Sequence, residues 1–307
     1  MPYTKEDLKI MQSWPLERKI AVTQTRIMEW YSRFDGKAMV SFSGGKDSTV
    51  LLDLARRCYP DIEAVYVDTG LEYPEVRRFA RSCENVTVLK PEMNFKEVLD
   101  KYGWCYPSKD VAESVHYARQ GGAWALRNFN GKNMDGTNSG YRDSRYKPWA
   151  YLVDSPFKIS HKCCEVMKVS PLLKYARKSG KTEIIGTLAT ESHRRKQTWL
   201  TMGCNAFDAK RPTSKPMSFW TEQDVLRYLR DFKIPYASVY GEIVEDKKGR
   251  LSTTGVARTG CVFCPIGCHL DRENRFEKLK GTHPKLYDYC IHDLGLGAFL
   301  DHVGVSY

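Results

Sequence analysis

What the sequence lacks narrows it first. No apolar run approaches the roughly 20 residues that a membrane-spanning helix needs, so no membrane attachment is expected of the 307 residues. The first residues carry none of the cationic, apolar and small-residue pattern of a secretory leader, which makes a cytoplasmic location the expectation. There is no internal repeat and no low-complexity tract, so nothing points to stacked repeats or a compositional linker. No block of five or six consecutive Lys or Arg occurs, yet Lys and Arg outnumber Asp and Glu by 48 to 37, a net charge of +11. A diffuse positive balance fits a polyanionic partner, nucleotide or nucleic acid, and fits a generally basic enzyme equally well. In the reducing compartment that this expectation implies, ten cysteines are read as metal-binding or redox groups where they cluster rather than as disulfides.

What is present is organised around Ser43-Gly44-Gly45-Lys46-Asp47-Ser48-Thr49. The apolar run Ala38–Phe42 precedes it and Val50–Ala55 follows, which reads as strand, tight glycine turn and helix start. Two successive glycines let backbone N–H groups approach a ligand, and the first helical turn adds unpaired donors and the positive end of its dipole. Ser43, Ser48 and Thr49 offer hydroxyls and Lys46 a charge, so the expected guest is a polyphosphate. The spacing is not that of a Walker A loop.

Before the loop, Thr4 with Asp7 forms a capping-box pattern, and residues 4–34 read as two helices broken near Pro15. After it, a helix to about Cys58, a strand at 62–67, a helix at 73–83, a strand at 86–89 and a helix from about Asn94 alternate as in a doubly wound parallel α/β sheet. In such sheets ligands lie beyond the carboxyl ends of strands. Asp68-Thr69-Gly70 falls there, as does the stretch after the strand at 183–185, which holds Gly186, Glu191, Arg194 and Arg195. Residues 105–160 form an irregular insertion, turn-rich over 128–140, where Tyr141, Arg142, Arg145, Tyr146, Lys147 and Trp149 interleave cations with aromatics. That tract suits nucleic-acid stacking, or simply an exposed insertion with aromatic anchors. Thr221 with Asp224 caps an amphipathic helix to about Phe232, and a hairpin at 243–251 leads to a cysteine-rich helical close. The expected organisation is an N-terminal helical segment over 1–35, a nucleotide domain over 36–240 and a C-terminal segment over 241–307.

The glycine loop resembles the SGGxDS loop of the PP-loop ATP pyrophosphatases and of the sulfonucleotide (PAPS and APS) reductases. Val67-Asp68-Thr69-Gly70 resembles the DTG segment of the same group, which implies an adenine nucleotide alpha hydrolase-like fold binding ATP or PAPS/APS. Four cysteines, the Cys163-Cys164 pair and Cys261-x-x-Cys264, bring together thiols of the kind that hold iron-sulfur clusters or zinc. The segment Cys163-Cys164-x-x-x-Lys168-x-x-Pro171-Leu172 is similar to the CCxxRKxxPL segment of the APS reductases. That likeness implies a 4Fe-4S cluster held by Cys163, Cys164, Cys261 and Cys264, with zinc as the alternative. Cys268 stands as a fifth thiol, either a ligand, a reactive group or a core residue. Cys58, Cys83, Cys105 and Cys204 read as small core residues.

Two positions depart from the reductase pattern. Leu188 sits where a GxRxxES-type segment has Arg, although Gly186, Glu191 and Ser192 match. The tail carries Tyr289-Cys290-Ile291-His292 in place of ECGxH, with Cys290 either the displaced nucleophile or a core thiol. The resemblance therefore implies first an ATP pyrophosphatase-type sulfurtransferase. Its phosphates would meet the loop, with Mg²⁺ at Asp47 or Asp68, and Lys46, Asp47, Asp68, Cys268 and Cys290 would be its catalytic candidates. Its acceptor would be a nucleic acid, tRNA or DNA, and a separate protein would supply sulfur. The alternatives are a PAPS/APS reductase releasing sulfite and a non-catalytic nucleotide or nucleic-acid binding module.

Overall fold

The computed structural model of the chain describes residues 3–307, which fall into two compact units. The first comprises the chain up to Lys90 together with Pro171–Gly260. Helix α1 (Lys5–Gln12) begins at the expected capping box, with the Asp7 N–H donating to Thr4 Oγ1 at 3.1 Å and the Thr4 N–H to Asp7 Oδ2 at 2.7 Å. Pro15 then starts α2 (Leu16–Arg33), since proline fits just before a first turn whose N–H groups have no helical partner. Strand β1 (Ala38–Phe42), helix α3 (Lys46–Cys58), strand β2 (Glu63–Val67), helix α4 (Pro74–Ser82) and strand β3 (Val86–Leu89) follow in the alternation read from the sequence.

The second unit takes Pro91–Ser170 and Cys261–Tyr307. It opens with α5 (Phe95–Tyr102), capped by Asn94 and Glu97, then α6 (Lys109–Ala118), α7 (Ala123–Phe129) and α8 (Gly140–Arg145). The turn-rich stretch between α7 and α8 is an ordered hairpin. Its Asn133 N–H donates to the Thr137 carbonyl at 2.9 Å, and the Arg142 guanidinium donates to Asn128 Oδ1 at 2.9 Å and Asn133 Oδ1 at 2.5 Å. A single helical turn, α9 (Lys162–Cys164), runs into a π-turn over Glu165–Val169.

Back in the first unit come α10 (Ser170–Ser179, whose first residue belongs to the second unit), β4 (Thr182–Ile185), α11 (His193–Met202), the two-residue strands β5 (Asn205–Ala206) and β6 (Thr213–Ser214), α12 (Glu222–Asp231) and the hairpin β7 (Ile243–Glu245) with β8 (Leu251–Thr253). The second unit closes with α13 (Arg275–Thr282), α14 (Pro284–Asp288), a π-turn over Tyr289–Asp293 and α15 (Leu296–Val303).

The sheet of the first unit runs β3-β2-β1-β4-β6-β5, parallel except at β5. Val40 of β1 pairs with Ala64 on one side and Ile184 on the other. Strands β1 to β3 step outward in one direction and β4 starts the other, so the order turns back between β1 and β4, the place where an open parallel sheet leaves a crevice for ligands. Val40, Val50, Leu51, Leu54, Ala55, Ala64 and Ile184 are wholly buried, which explains the continuous apolar reading of these segments. Among the described residues no helix is long and apolar enough to cross a membrane.

Candidate functional site

The glycine loop leaves β1 at this turning point. Gly44 adopts φ +70°, and a Cβ there would stand 3.0 Å from both the carbonyl oxygen and Cγ1 of Val76, so the turn and the close pass against α4 each demand glycine. Gly45 caps α3 in extended conformation. The hydroxyls expected to face a phosphate have a first duty to the loop itself. The Ser43 N–H donates to Ser48 Oγ at 3.2 Å, the two serine oxygens lie 3.0 Å apart, and the Ser48 and Thr49 hydroxyls donate to the Gly45 carbonyl at 2.9 and 3.0 Å. Ser43, Ser48 and Thr49, expected as phosphate donors, thus also fix the curvature that presents the backbone.

Lys46 and Asp47 reach a cavity of about 290 Å³, shared with Glu191, Glu222, Arg250 and Arg258. The Lys46 ammonium is buried and donates to Glu222 Oε1 at 2.5 Å and to the Ala257 carbonyl at 2.6 Å. The Lys46 backbone N–H donates to the Tyr240 hydroxyl at 3.1 Å, and that hydroxyl lies 2.6 Å from Thr259 Oγ1. Asp47 differs. Its Oδ1 is buried with no hydrogen-bond partner, and burial raises its carboxyl against the pull of Lys46, Arg258 and Arg195. An orphaned carboxylate oxygen at the first turn of α3 suits a hard cation such as Mg²⁺.

Asp68 is not free for that duty. Its buried side chain pairs with Arg77 at 2.9 Å and with Arg81. Burial pushes its carboxyl up, but the two guanidiniums more than offset this and hold it below the ordinary carboxylate range. The Thr69 hydroxyl donates to the Glu72 carboxylate at 2.8 Å, and Gly70 takes a left-handed φ of +74°. Gly186 has a packing reason as well, because a Cβ there would come within 3.0 Å of the Asp47 carbonyl oxygen. Glu191 lines the cavity, accepts the Leu188 N–H at 2.9 Å and pairs with both Arg195 and Arg258. Leu188, at the position where the reductase pattern has Arg, is buried. Arg194 is exposed and does not line the cavity. Sequence reasoning missed Glu222, Tyr240, Arg258 and Thr259. Only Glu222 had a local signal, as the first residue after the Thr221 cap, and nothing local connects it to Lys46.

The four paired cysteines all lie in the second unit. Cys163 and Cys164 sit at α9 just before the π-turn, a widening of the helix that recurs at functional sites. The Cys264 N–H donates to the Cys261 carbonyl at 3.1 Å, closing a tight turn. Burial raises the Cys163 thiol, and Cys164, Cys261 and Cys264 raise it further, while Lys168 draws it down. Three thiols and one cation therefore act on Cys163. Cys105 joins them: it is buried and raised by burial and by Cys264, Cys164 and Cys163, a neighbourhood its isolated place in the sequence did not disclose. Among the described residues no three His, Cys, Asp or Glu side chains stand where they could hold a single metal ion. A tetrahedral zinc site needs four sulfurs about 2.3 Å from one centre, whereas a multi-iron cluster spreads its thiolates over several irons.

Two further cysteines are buried. Cys290 is completely buried in the second π-turn, and burial pushes its thiol up, the surroundings of a core residue. Cys268 is buried and pushed up to about 11 by burial, against Arg275. The cations of the insertion are likewise committed within the fold. Arg145 pairs with Asp110 and lies over the Tyr141 and Tyr146 rings, and Lys147 lies 3.4 Å from Asp143.

A family model described as the phosphoadenosine phosphosulfate reductase domain matches residues 37–119 and 132–271. An uncharacterized protein of Methanocaldococcus jannaschii is 26% identical over 271 residues, 85% of this chain and 42% of its own length, so the chain spans less than half of that relative. A phosphoadenosine 5'-phosphosulfate reductase of Alkalilimnicola ehrlichii is 26% identical over 223 residues, 72% of each chain. An adenosine 5'-phosphosulfate reductase of Staphylococcus epidermidis is 21% identical over 228 residues, 70% of each chain.

Proposed function

Because this chain belongs to the phosphoadenosine phosphosulfate reductase domain family, we propose that its glycine loop binds the phosphates of an adenine nucleotide, and that it uses ATP to activate an acceptor for sulfur transfer. The observation that carries this reading is the loop's position at the turning point of the sheet, with the orphaned Asp47 carboxylate at the start of α3. The backbone of Gly44 and Gly45 and the first amides of α3 would hold the phosphates. Asp47 would take Mg²⁺, while Lys46 and Arg258 offset charge building on the departing pyrophosphate. An acceptor oxygen attacks the α-phosphorus, the bond to the bridging oxygen breaks and pyrophosphate leaves. Sulfide-level sulfur then attacks the adenylated carbon, and AMP departs with that oxygen.

Cys163, Cys164, Cys261 and Cys264 fit a 4Fe-4S cluster by donor chemistry, as half-buried thiols of which Cys164, Cys261 and Cys264 raise Cys163 while Lys168 draws it down. Such a cluster, when bound, supplies iron that exchanges electrons or sulfur. Zinc is the weaker alternative, since it would need the four sulfurs gathered around one centre. We also propose that the sulfur comes from a separate donor protein and that the acceptor is a nucleic acid. A cytoplasmic location suits both partners.

The second reading, a sulfonucleotide reductase, is supported by what the Alkalilimnicola and Staphylococcus relatives are called. It needs a thiol that attacks sulfur, and the burial of Cys290 together with buried Leu188 in the Arg position weighs against it. Anaerobic incubation with ATP, PAPS and APS separates the two. Pyrophosphate without sulfite is expected, and sulfite from PAPS or APS overturns ATP as the substrate.

A further inference from the structure

Three loops leave the same edge of the sheet of the first unit, after β1, β4 and β6. The order β1-β4-β6 sets Lys215, the residue following β6, two strand spacings or roughly 10 Å along this edge from the glycine loop. Its backbone is firmly placed. The Lys215 N–H donates to the Cys204 carbonyl at 2.7 Å, and the Lys215 carbonyl accepts the Ser218 N–H at 3.1 Å and hydroxyl at 2.8 Å. The Ser218 carbonyl in turn accepts the Ala189 N–H at 2.8 Å, which ties this turn to the one carrying Glu191.

Among the described residues the side chain has no such partner. Lys215 is half-buried, and the charges that act on it are those of Arg195, Arg211 and Arg194, all positive. Two of these already hold carboxylates, Arg195 with Glu191 and Arg211 with Glu183. Arg194, exposed at the first turn of α11, has none among the described residues. Two cations thus remain uncompensated next to two that are paired, outside the cavity lined by Lys46 and Asp47. Like charges crowded around a partly desolvated ammonium weaken the fold unless an anion joins them.

We propose that Arg194 and Lys215, backed by Arg195 and Arg211, form a phosphate-binding patch beside the nucleotide cavity that holds the backbone of a nucleic acid. The net charge of +11 would draw such a partner to the surface. The patch would fix its register while the base or sugar to be modified reaches the cavity. This deepens the acceptor named above and rests on that reading for its purpose, but not for its existence.

The test is the fluorescence anisotropy of a labelled single-stranded 20-mer, as RNA and as DNA, titrated with the full chain over a range of salt. The doubly substituted Arg194→Gln/Lys215→Gln chain is expected to bind roughly tenfold more weakly at 0.1 M salt, with the slope of log affinity against log salt smaller by about 1.4, the share of two phosphate contacts on a single strand. The charge-keeping Arg194→Lys/Lys215→Arg chain should bind as the unaltered one does. Unchanged affinity and slope in the glutamine variant, or no binding by the unaltered chain at low salt, overturns the proposal. So does weakened ATP binding with nucleic-acid binding intact, which would assign both cations to the nucleotide. If the chain binds no ATP yet loses nucleic acid with these two cations, the proposed activity fails and the patch stands.

Discussion

Asp47 keeps a buried carboxylate oxygen unpaired, and burial raises its carboxyl even with Lys46, Arg258 and Arg195 nearby. A carboxyl with a raised folded pKa binds its proton more tightly in the native state, so the contribution of Asp47 to stability is greatest at low pH and falls as pH rises from about 3.9 through the folded value. Asp47→Asn should therefore raise the melting temperature at pH 7 and lose that advantage in acid, which calorimetry across pH reads directly. The same substitution should weaken Mg-nucleotide binding by about tenfold or more, as for a lost contact to a charged group. Gly44→Ala faces both a left-handed φ of +70° and a 3.0 Å approach to the Val76 carbonyl oxygen. It should cost about 2 kcal/mol or more, seen in urea unfolding. Gly45→Ala, with an extended φ of −80° and its nearest neighbour at 3.3 Å, should keep more of the stability while still lowering nucleotide affinity. The glycine pair was legible because a turn between strand and helix is a local property. The Lys46–Glu222 pair was not, because 176 residues separate its partners and only the folded sheet brings them together.

At the scale of elements, the capping boxes at Thr4 and Thr221 were readable for the same local reason, whereas the one at Asn94 was read only as a helix start. What Asp224 does beyond its box was not. Its carboxylate, besides accepting the Thr221 N–H at 2.7 Å, binds the Lys19 ammonium at 2.6 Å, and Lys19 also donates to the Gln12 carbonyl at 2.7 Å. This buried pair joins α12 to α2 across 205 residues. Asp224→Ala leaves an ammonium buried without its counter-ion and should cost about 3–5 kcal/mol. Lys19→Met with Asp224→Leu should recover much of that, and a double-mutant cycle in denaturant measures the difference. The insertion gives the opposite lesson. Its turns were legible from composition, but its order depends on Arg142 reaching Asn128 and Asn133, a tertiary choice with no periodicity to announce it.

For the whole molecule, alternation of strand and helix was enough to anticipate a parallel sheet. The short β5 and β6 escaped, since two residues cannot display a period. The grouping of residues 91–170 with 261–307 in one unit arises from contacts distant in sequence, and it is what lets Cys264, Cys164 and Cys163 act on Cys105. Protein purified without oxygen should carry about four irons per chain, lost on Cys163→Ser/Cys164→Ser and kept on Cys290→Ala; zinc alone in the unaltered chain would overturn the cluster. A last consequence lies in the Tyr240 hydroxyl, which already occupies the Lys46 N–H that opens α3. Arrival of a phosphate at that amide is an exchange, with one acceptor leaving as another enters. Affinity then measures how far the newcomer outbids a neutral oxygen, so chloride and other weak anions are turned away while a polyanion is not. Tyr240→Phe removes the incumbent, and inorganic sulfate should then compete with ATP at lower concentration than it does in the unaltered chain.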